Sequence, residues 1–288
     1  MIIGDRTHAR GSHGTFSVFS SLQGVGMSKG REKIEAAIKR TVRQRCGFGC
    51  VVCGKPFYEY DHIEEYSKVK EHEASNLTLL CPEHHAEKTK GLRSVAQVKA
   101  ADANPFNKRN RLSGPYVLAY EGTVSKVSLG SYRFLQSLGP THREPLVING
   151  EPVVKVRTED GNLLISAKFC DAAGSVILKI EDNELRYDTS VWDVEFVAHR
   201  LVVRKAHREI IAKLTFSPPD EITVERGCFS HDGLMLKVTP RELLLDTKHG
   251  RTLMSEISVL DIPYGRGIAL TDAGHAPETK PAAINLRL

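Results

Sequence analysis

The residues that decide the fold of the N-terminal half run from Cys50 to Lys90 and read CVVCGKPFYEYDHIEEYSKVKEHEASNLTLLCPEHHAEKTK. A C-x2-C pair opens the stretch and a C-x2-H pair lies near its end, and together they comprise Cys50, Cys53, Cys81 and His84. Two close pairs of thiolate and imidazole ligands, separated by a loop, are the usual arrangement around tetrahedral structural zinc. We therefore predict one structural Zn²⁺ on these four residues. Cys46 precedes the first pair and is predicted to be a buried or free thiol, with a role as competing ligand left open.

Four further residues of this stretch are not needed to hold a zinc ion. Asp61, His62 and Asn76 lie inside the loop, and His85 directly follows the second pair. Their order, closed by a CPEHH-x2-KT ending, resembles the HNH endonuclease family over residues 40–92. The resemblance implies a ββα-metal unit, in which a β-hairpin and a short helix clamp one divalent ion. Many members of that family have a fourth cysteine where this chain has His84, which is an equally good zinc ligand.

The local pattern agrees with such a unit. The hairpin is expected to start at Phe57–Tyr60, with Asp61 and His62 at the end of the first strand. Leu77–Leu80 is a short apolar run that predicts the second strand. Proline suits the first turn of a helix. Pro82 therefore predicts that the following helix carries His84, His85 and Lys88.

The resemblance also implies the roles of the second group of residues. His62 matches the general base of the family, and Asp61 and His85 match its ligands for a catalytic divalent ion. Asn76 matches the residue that orients the loop carrying the catalytic histidine. A mixed oxygen and nitrogen ligand set accepts several ions. We expect Mg²⁺ or Mn²⁺ first, with Ni²⁺ or Zn²⁺ as alternatives.

These roles predict an enzyme, a metal-dependent endonuclease that hydrolyses DNA, with double-stranded DNA as the expected substrate. The alternative is a noncatalytic zinc-binding adaptor that binds nucleic acid or protein. Such an adaptor has no need for the Asp61–His62 pair within its hairpin, so this pair discriminates between the two interpretations. A role in restriction or in defence against foreign DNA is the expected biological setting of the enzyme.

Basic residues are concentrated in the half of the chain that carries these motifs. Residues 27–114 contain 17 Lys and Arg against 11 Asp and Glu, whereas residues 115–288 contain 21 against 23. Ile34, Ala37, Ile38 and Val42 recur at helical spacing, which predicts a basic helix leading into the first cysteine pair. A solvated helix face is the alternative to DNA contact. The candidate phosphate-binding residues are Arg40, Arg43, Arg45, Lys88 and Lys90.

The C-terminal half consists of short runs rich in Val, Ile and Leu with turn signals between them. This pattern predicts an antiparallel all-β domain, either a sandwich or a meander. The predicted fold class is therefore α+β, a zinc-stabilised ββα-metal module with flanking helices followed by a β domain. The predicted divisions are a flexible segment 1–26, a nuclease domain 27–103, a linker 104–114, the β domain 115–271 and a flexible tail 272–288. Met27 is a candidate translation start.

Composition narrows the remaining possibilities. No apolar stretch approaches the roughly 20 residues of a membrane-spanning helix, so no membrane partner is expected. Six cysteines, of which three are assigned to zinc, argue against a disulfide framework and favour a reducing, cytoplasmic location. The slightly acidic β domain is expected to serve sensing, target selection or contact with a partner protein or a second copy of the chain.

Overall fold

The computed structural model describes residues 33–69, 71–137, 142–247, 250–277 and 279–288. Contacts divide the chain into two units, Met1–Lys33 and Ile34–Leu288. Lys33 alone is described in the first unit, so the predicted segment 1–26 and the candidate start Met27 lie outside the described residues. All of the predicted metal-site residues belong to the second unit.

The second unit begins with the basic helix. Helix α1 spans Ala36–Cys46, and its apolar residues at four-residue spacing, Ile38 and Val42 among them, pack into a core shared with the hairpin. The helix ends at Gly47, whose φ of 71° is left-handed and whose N–H donates to the carbonyl of Arg43.

The predicted hairpin and helix are present. Strand β1 (Glu59–His62) pairs antiparallel with β2 (Leu77–Leu80). The connection contains helix α2 (Tyr66–Val69) and a single 3-10 turn, Ala74–Asn76. Helix α3 spans Pro82–Thr89, with its proline in the first turn. The sequence prediction of a ββα unit is therefore confirmed.

Two further helices connect this unit to the strands of the C-terminal half. Helix α4 (Val95–Ala103) starts with a capping box between Ser94 and Gln97, and α5 spans Phe106–Asn110 within the predicted linker. Asn107 of α5 is fully buried, and its amide donates to the carbonyls of Gly47 and Gly54 at 2.8 and 3.2 Å. Residues 104–114 thus pack closely against the hairpin unit.

The β region, residues 115–288, contains the remaining strands. In chain order they are β3 (Tyr116–Val117), β4 (Val124–Leu129), β5 (Tyr132–Ser137), β6 (Arg143–Ile148), β7 (Glu151–Glu159), β8 (Asn162–Cys170), β9 (Val176–Glu181), β10 (Glu184–Tyr187), β11 (Asp193–Val197), β12 (Arg200–Ala206), β13 (Glu209–Ser217), β14 (Glu221–His231), β15 (Leu234–Val238), β16 (Leu243–Thr247), β17 (Gly250–Met254), β18 (Ser258–Leu260), β19 (Arg266–Thr271) and β20 (Ile284–Arg287). The last of these lies in the segment predicted to be a flexible tail.

The strands of the β region form two sheets. One has eight strands in the order β20-β19-β6-β7-β8-β9-β10-β3. The other has ten, with β11 to β17 in sequence and a branch in which β4 pairs with β14, β5 with β4, and β18 with β5. Most neighbours are antiparallel, as predicted, but β4–β14, β5–β18, β6–β19 and β19–β20 are parallel. Both sheets contribute to one hydrophobic core, where the Phe169 and Phe229 rings lie 4.8 Å apart. The α+β class is confirmed.

Within the described part of the chain, no helix combines the length and the apolar character needed to cross a membrane.

Candidate zinc cluster and active site

The four predicted zinc ligands lie together. The ligand atoms of Cys50, Cys53, Cys81 and His84 are all within 4.8 Å of one another. The Cys53 and Cys81 sulfurs are 3.8 Å apart, and His84 Nδ1 lies 3.1 Å from Cys81 Sγ. Sulfur ligands about 2.3 Å from one tetrahedral ion lie about 3.8 Å from each other, so the cluster fits zinc. It is the only group of this kind among the described residues.

The surroundings of the cluster favour metal binding. Cys50, Cys81 and His84 are buried, and Cys53 is half-buried. Hydrogen bonds among the three thiols lower the pKa of Cys81 and raise the pKa of Cys53, so the cluster favours one thiolate, the form that binds metal. Cys46 lies outside the cluster, with its sulfur 3.9 Å from the Thr78 hydroxyl. Burial raises its pKa to about 12, so Cys46 remains a thiol.

Asp61 and His85 meet at the junction between the hairpin and α3. Asp61 Oδ1 lies 3.4 Å from His85 Nε2, and the other ring nitrogen of His85 lies 3.1 Å from Glu59 Oε2. The Lys88 ammonium donates to Asp61 Oδ2 and to the carbonyl of His62. The structure therefore brings the two predicted ligands of the catalytic ion together and places a cation beside them.

His62 is buried and directly follows Asp61, whose partner His85 is the more exposed residue of that pair. Its Nε2 is 3.1 Å from His72 Nδ1, and its ring centroid is 5.0 Å from that of Tyr66. The Tyr66 and His72 rings stack on each other at 5.0 Å. Sequence reasoning assigned no role to Tyr66 or His72, because their approach to His62 depends on the path of the loop.

Asn76 binds the segment that follows His62. Its side-chain oxygen accepts from the N–H of Glu64 at 2.8 Å, and its amide donates to the carbonyl of Glu64 at 3.1 Å. The carbonyl of Asn76 accepts from the N–H of Ile63 at 2.7 Å. The side chain thus links the two ends of the loop.

Arg43, a candidate phosphate-binding residue, lies inside the protein. It is 3% exposed, and Asp193 accepts from its Nε at 2.9 Å and from its Nη2 at 2.8 Å. This buried, ion-paired environment does not favour a contact with DNA.

The other candidate phosphate-binding residues of α1 make contacts within the protein, whereas Lys90 is exposed. Arg45 donates to the carbonyls of Ala74 and Leu77 and pairs with a carboxylate of α4. The Arg40 guanidinium lies 5.1 Å from the centre of the Trp192 ring. Lys90, by contrast, is exposed directly after the last residue of α3.

Comparison with known protein families identifies the segment that carries the zinc cluster and the Asp61–His85 pair. Residues 50–91 match the family model described as HNH endonuclease. The searches of curated proteins and of solved structures find no match to the chain. The match ends before the β region, which stays unassigned. The chain therefore contains an HNH endonuclease domain over residues 50–91, built around a Cys3His cluster that fits a zinc-binding module.

Proposed function

We propose that the protein is a metal-dependent endonuclease that hydrolyses the phosphodiester bonds of double-stranded DNA. The observation that carries this proposal is the meeting of Asp61 and His85 at 3.4 Å, with His62 next to Asp61 on β1. A purely structural zinc module needs none of these three residues. Their presence within the matched domain supports catalysis.

Asp61 and His85 would hold the divalent ion. One carboxylate oxygen and one imidazole nitrogen at this separation fit two ligands of a single ion, and the remaining positions would be open to water and phosphate. When bound, such an ion polarises the scissile phosphate and stabilises the departing alkoxide. The donor set accepts Mg²⁺ or Mn²⁺, with Ni²⁺ or Zn²⁺ as alternatives.

His62 is the proposed general base. A histidine takes a proton from water effectively near neutral pH. The contact with His72 and the packing of Tyr66 hold the His62 ring, and Asn76 holds the segment immediately after it. These three neighbours restrict the base to one orientation, which is what proton transfer requires.

Two lysines of this site have different proposed roles. Lys88 donates to Asp61 and to the His62 carbonyl, so it orients the residues on which the reaction depends. Lys90 is exposed at the end of the same helix and is the better candidate for a contact with a DNA phosphate. Phosphate contacts of this kind give affinity without sequence preference.

The β region is proposed to select the target or to contact a partner protein or a second copy of the chain. Its balance of 21 Lys and Arg against 23 Asp and Glu is unsuited to a general clamp on DNA. Restriction or defence against foreign DNA is the proposed setting. Six unpaired cysteines agree with a reducing compartment such as the cytoplasm.

One observation favours a noncatalytic zinc adaptor as the second candidate. The Lys88 ammonium neutralises Asp61 within the structure, so that the carboxylate has a cationic partner without a second ion. In an adaptor this ion pair would be the final state of Asp61. In a nuclease the carboxylate would bind the ion through its other oxygen, or exchange Lys88 for the ion.

Mn²⁺ binding measured by electron paramagnetic resonance separates these two candidates. The zinc-loaded protein is titrated with Mn²⁺ and compared with Asp61→Asn and His85→Ala. The endonuclease proposal predicts one Mn²⁺ site in the wild type that is weakened in both variants, with zinc content unchanged. Absence of a Mn²⁺ site that depends on Asp61 would favour the adaptor.

A further inference from the structure

We propose that Asp193, a residue of the β region, positions the strand that carries Asp61 and His62. Asp193 begins β11 and is 0% exposed. The proposal rests on the proposed function only for its activity readout, because the position of a strand can also be measured without activity.

The first link joins Asp193 to α1. Both of its carboxylate oxygens accept hydrogen bonds from Arg43, at 2.9 and 2.8 Å, and Arg204 donates to one of them at 3.2 Å. A buried carboxylate is costly unless it is paired and hydrogen-bonded. The two-point contact meets this requirement and fixes the plane of the Arg43 guanidinium.

The second link joins Arg43 to β1. Its remaining terminal nitrogen, Nη1, donates to the Tyr60 hydroxyl at 3.0 Å, and this hydroxyl donates to the carbonyl of Lys39 at 3.3 Å. Burial disfavours the charge of Arg43, but its hydrogen bonds with Asp193 hold its pKa above the ordinary value. Arg43 therefore remains a cation that binds both Asp193 and Tyr60.

The third link is the strand itself. Tyr60 directly precedes Asp61 on β1, and successive side chains of a strand project from opposite faces. Holding the Tyr60 ring on one face therefore fixes the backbone from which Asp61 projects on the other face. The ring is also packed edge-on against Tyr58, at 5.9 Å.

The hairpin needs such support. Among the described residues β1 pairs with β2 alone, and each strand has four residues. An isolated two-stranded hairpin is at best marginally stable in water. The series of contacts from Asp193 through Arg43 to Tyr60 thus connects the β region to the strand of the proposed active site. Asp193 need not contact DNA to have this effect.

Two substitutions test this connection. Asp193→Asn removes the charge that orients Arg43, and Tyr60→Phe removes only the hydroxyl that Arg43 binds, which leaves the Arg43–Asp193 pair in place. Tyr132→Phe is the matched control, because it removes a buried tyrosine hydroxyl that donates to the carbonyl of Pro145 in the β region and touches no part of the hairpin. Tyr60→Phe keeps the test decisive if Asp193→Asn does not fold.

Hydrogen–deuterium exchange of peptides that cover residues 57–64 reports the position of the strand independently of activity. We expect exchange about two- to tenfold faster in Tyr60→Phe, which loses its hydrogen bonds with Arg43 and Lys39, and in folded Asp193→Asn, with Tyr132→Phe close to wild type. Unchanged exchange in Tyr60→Phe would overturn the proposal.

Steady-state cleavage of plasmid DNA gives the second readout. We expect kcat to fall by a similar factor in Tyr60→Phe, with KM for DNA and zinc content unchanged. Faster exchange with an unchanged kcat would refute the positioning role. If the wild type cleaves no DNA, the proposed function fails, and the exchange experiment alone then decides whether Asp193 positions the strand.

Discussion

At the residue scale, single side chains with several partners organise the proposed site. Lys88 bonds both to Asp61 and to the backbone of His62, and Asn76 bonds twice to Glu64. Asn107 makes hydrogen bonds to the backbone of three residues, Gly47, Gly54 and Gly114. Each of these side chains joins segments that are distant in sequence, so its removal affects more than one segment.

Replacing Lys88 by methionine should strengthen binding of the catalytic ion. The ammonium is paired with Asp61, and a cation at that position repels a divalent ion. We expect Mn²⁺ to bind several-fold more tightly to Lys88→Met than to wild type in the resonance titration. Lys90→Met is the control, since Lys90 is exposed after α3. Equal affinity in Lys88→Met and wild type would contradict the proposed role of Asp61.

Replacing Asn107 by alanine should destabilise the protein. The side chain is 0% exposed and makes three hydrogen bonds to the backbone. Without it the Gly47 carbonyl would lose its partner in a dry environment, whereas the Gly114 N–H would keep its bond to the Gly54 carbonyl. The free energy of unfolding should fall by about 2–4 kcal/mol, measured by denaturant titration. Asn110→Ala, at an exposed position of the same helix, should stay within about 0.5 kcal/mol of wild type. Similar losses in both variants would show that Asn107 has no special structural role.

At the scale of elements, the hairpin and α3 are held between two supports. The zinc cluster joins the Cys50 and Cys53 pair, which precedes β1, to the start of α3. The Arg43–Tyr60 contact joins β1 to α1. Neither the hairpin nor the eight-residue α3 is long enough to be stable alone. Loss of either support should therefore loosen the proposed active site.

Removal of zinc should loosen this unit first. Binding of structural zinc contributes directly to folding. A strong chelator should therefore increase hydrogen exchange in residues 50–91 before it does so in the strands of the β region. Cys53→Ala should abolish binding of one zinc per chain, whereas Cys46→Ser should retain it, since Cys46 lies outside the cluster. Zinc loss in Cys46→Ser but not in Cys53→Ala would show that the ligand set is wrong.

The contrast between local and distant contacts explains what the sequence could predict. The zinc ligands follow from spacings within residues 50–91, and the hairpin and α3 from the family resemblance of that segment; the structure agrees with both. Asp193 is 150 residues from Arg43, and nothing in the sequence around either residue indicates that they meet. Arg43 lies among the other Lys and Arg residues of α1, off the apolar positions of the helix. Helical periodicity therefore predicts an exposed side chain and could not show that Arg43 is buried.

At the scale of the whole molecule, the segment after α1 reaches into the core of the β region. Phe48, just after α1, packs within the hydrophobic core of the two sheets, and its carbonyl accepts from the Tyr187 hydroxyl at 2.5 Å. The Thr189 hydroxyl donates to the carbonyl of Asn107 at 3.0 Å. Contacts accordingly place Ile34–Leu288 in one unit. The sequence shows the change from helical to strand patterns but not this shared packing.

The contacts between the helical part and the β region predict cooperative unfolding of the zinc-loaded protein. Residues 34–288 should unfold in one calorimetric transition, because separating the two parts would expose Phe48 and leave the Arg43–Asp193 pair broken. Two well-separated transitions, one of which removes only the helical part, would contradict this expectation.

Cleavage of supercoiled plasmid tests the central claim most directly. The zinc-loaded wild type is incubated with Mg²⁺, Mn²⁺, Ni²⁺ or Zn²⁺ and compared with His62→Ala, and His199→Ala is the control because its side chain is exposed in the β region. The proposal predicts metal-dependent cutting by wild type and control and a rate roughly 10²–10⁴-fold lower in His62→Ala, with folding and zinc content unchanged. Cutting by His62→Ala at the wild-type rate, or none by wild type on modified and unmodified DNA, would contradict it.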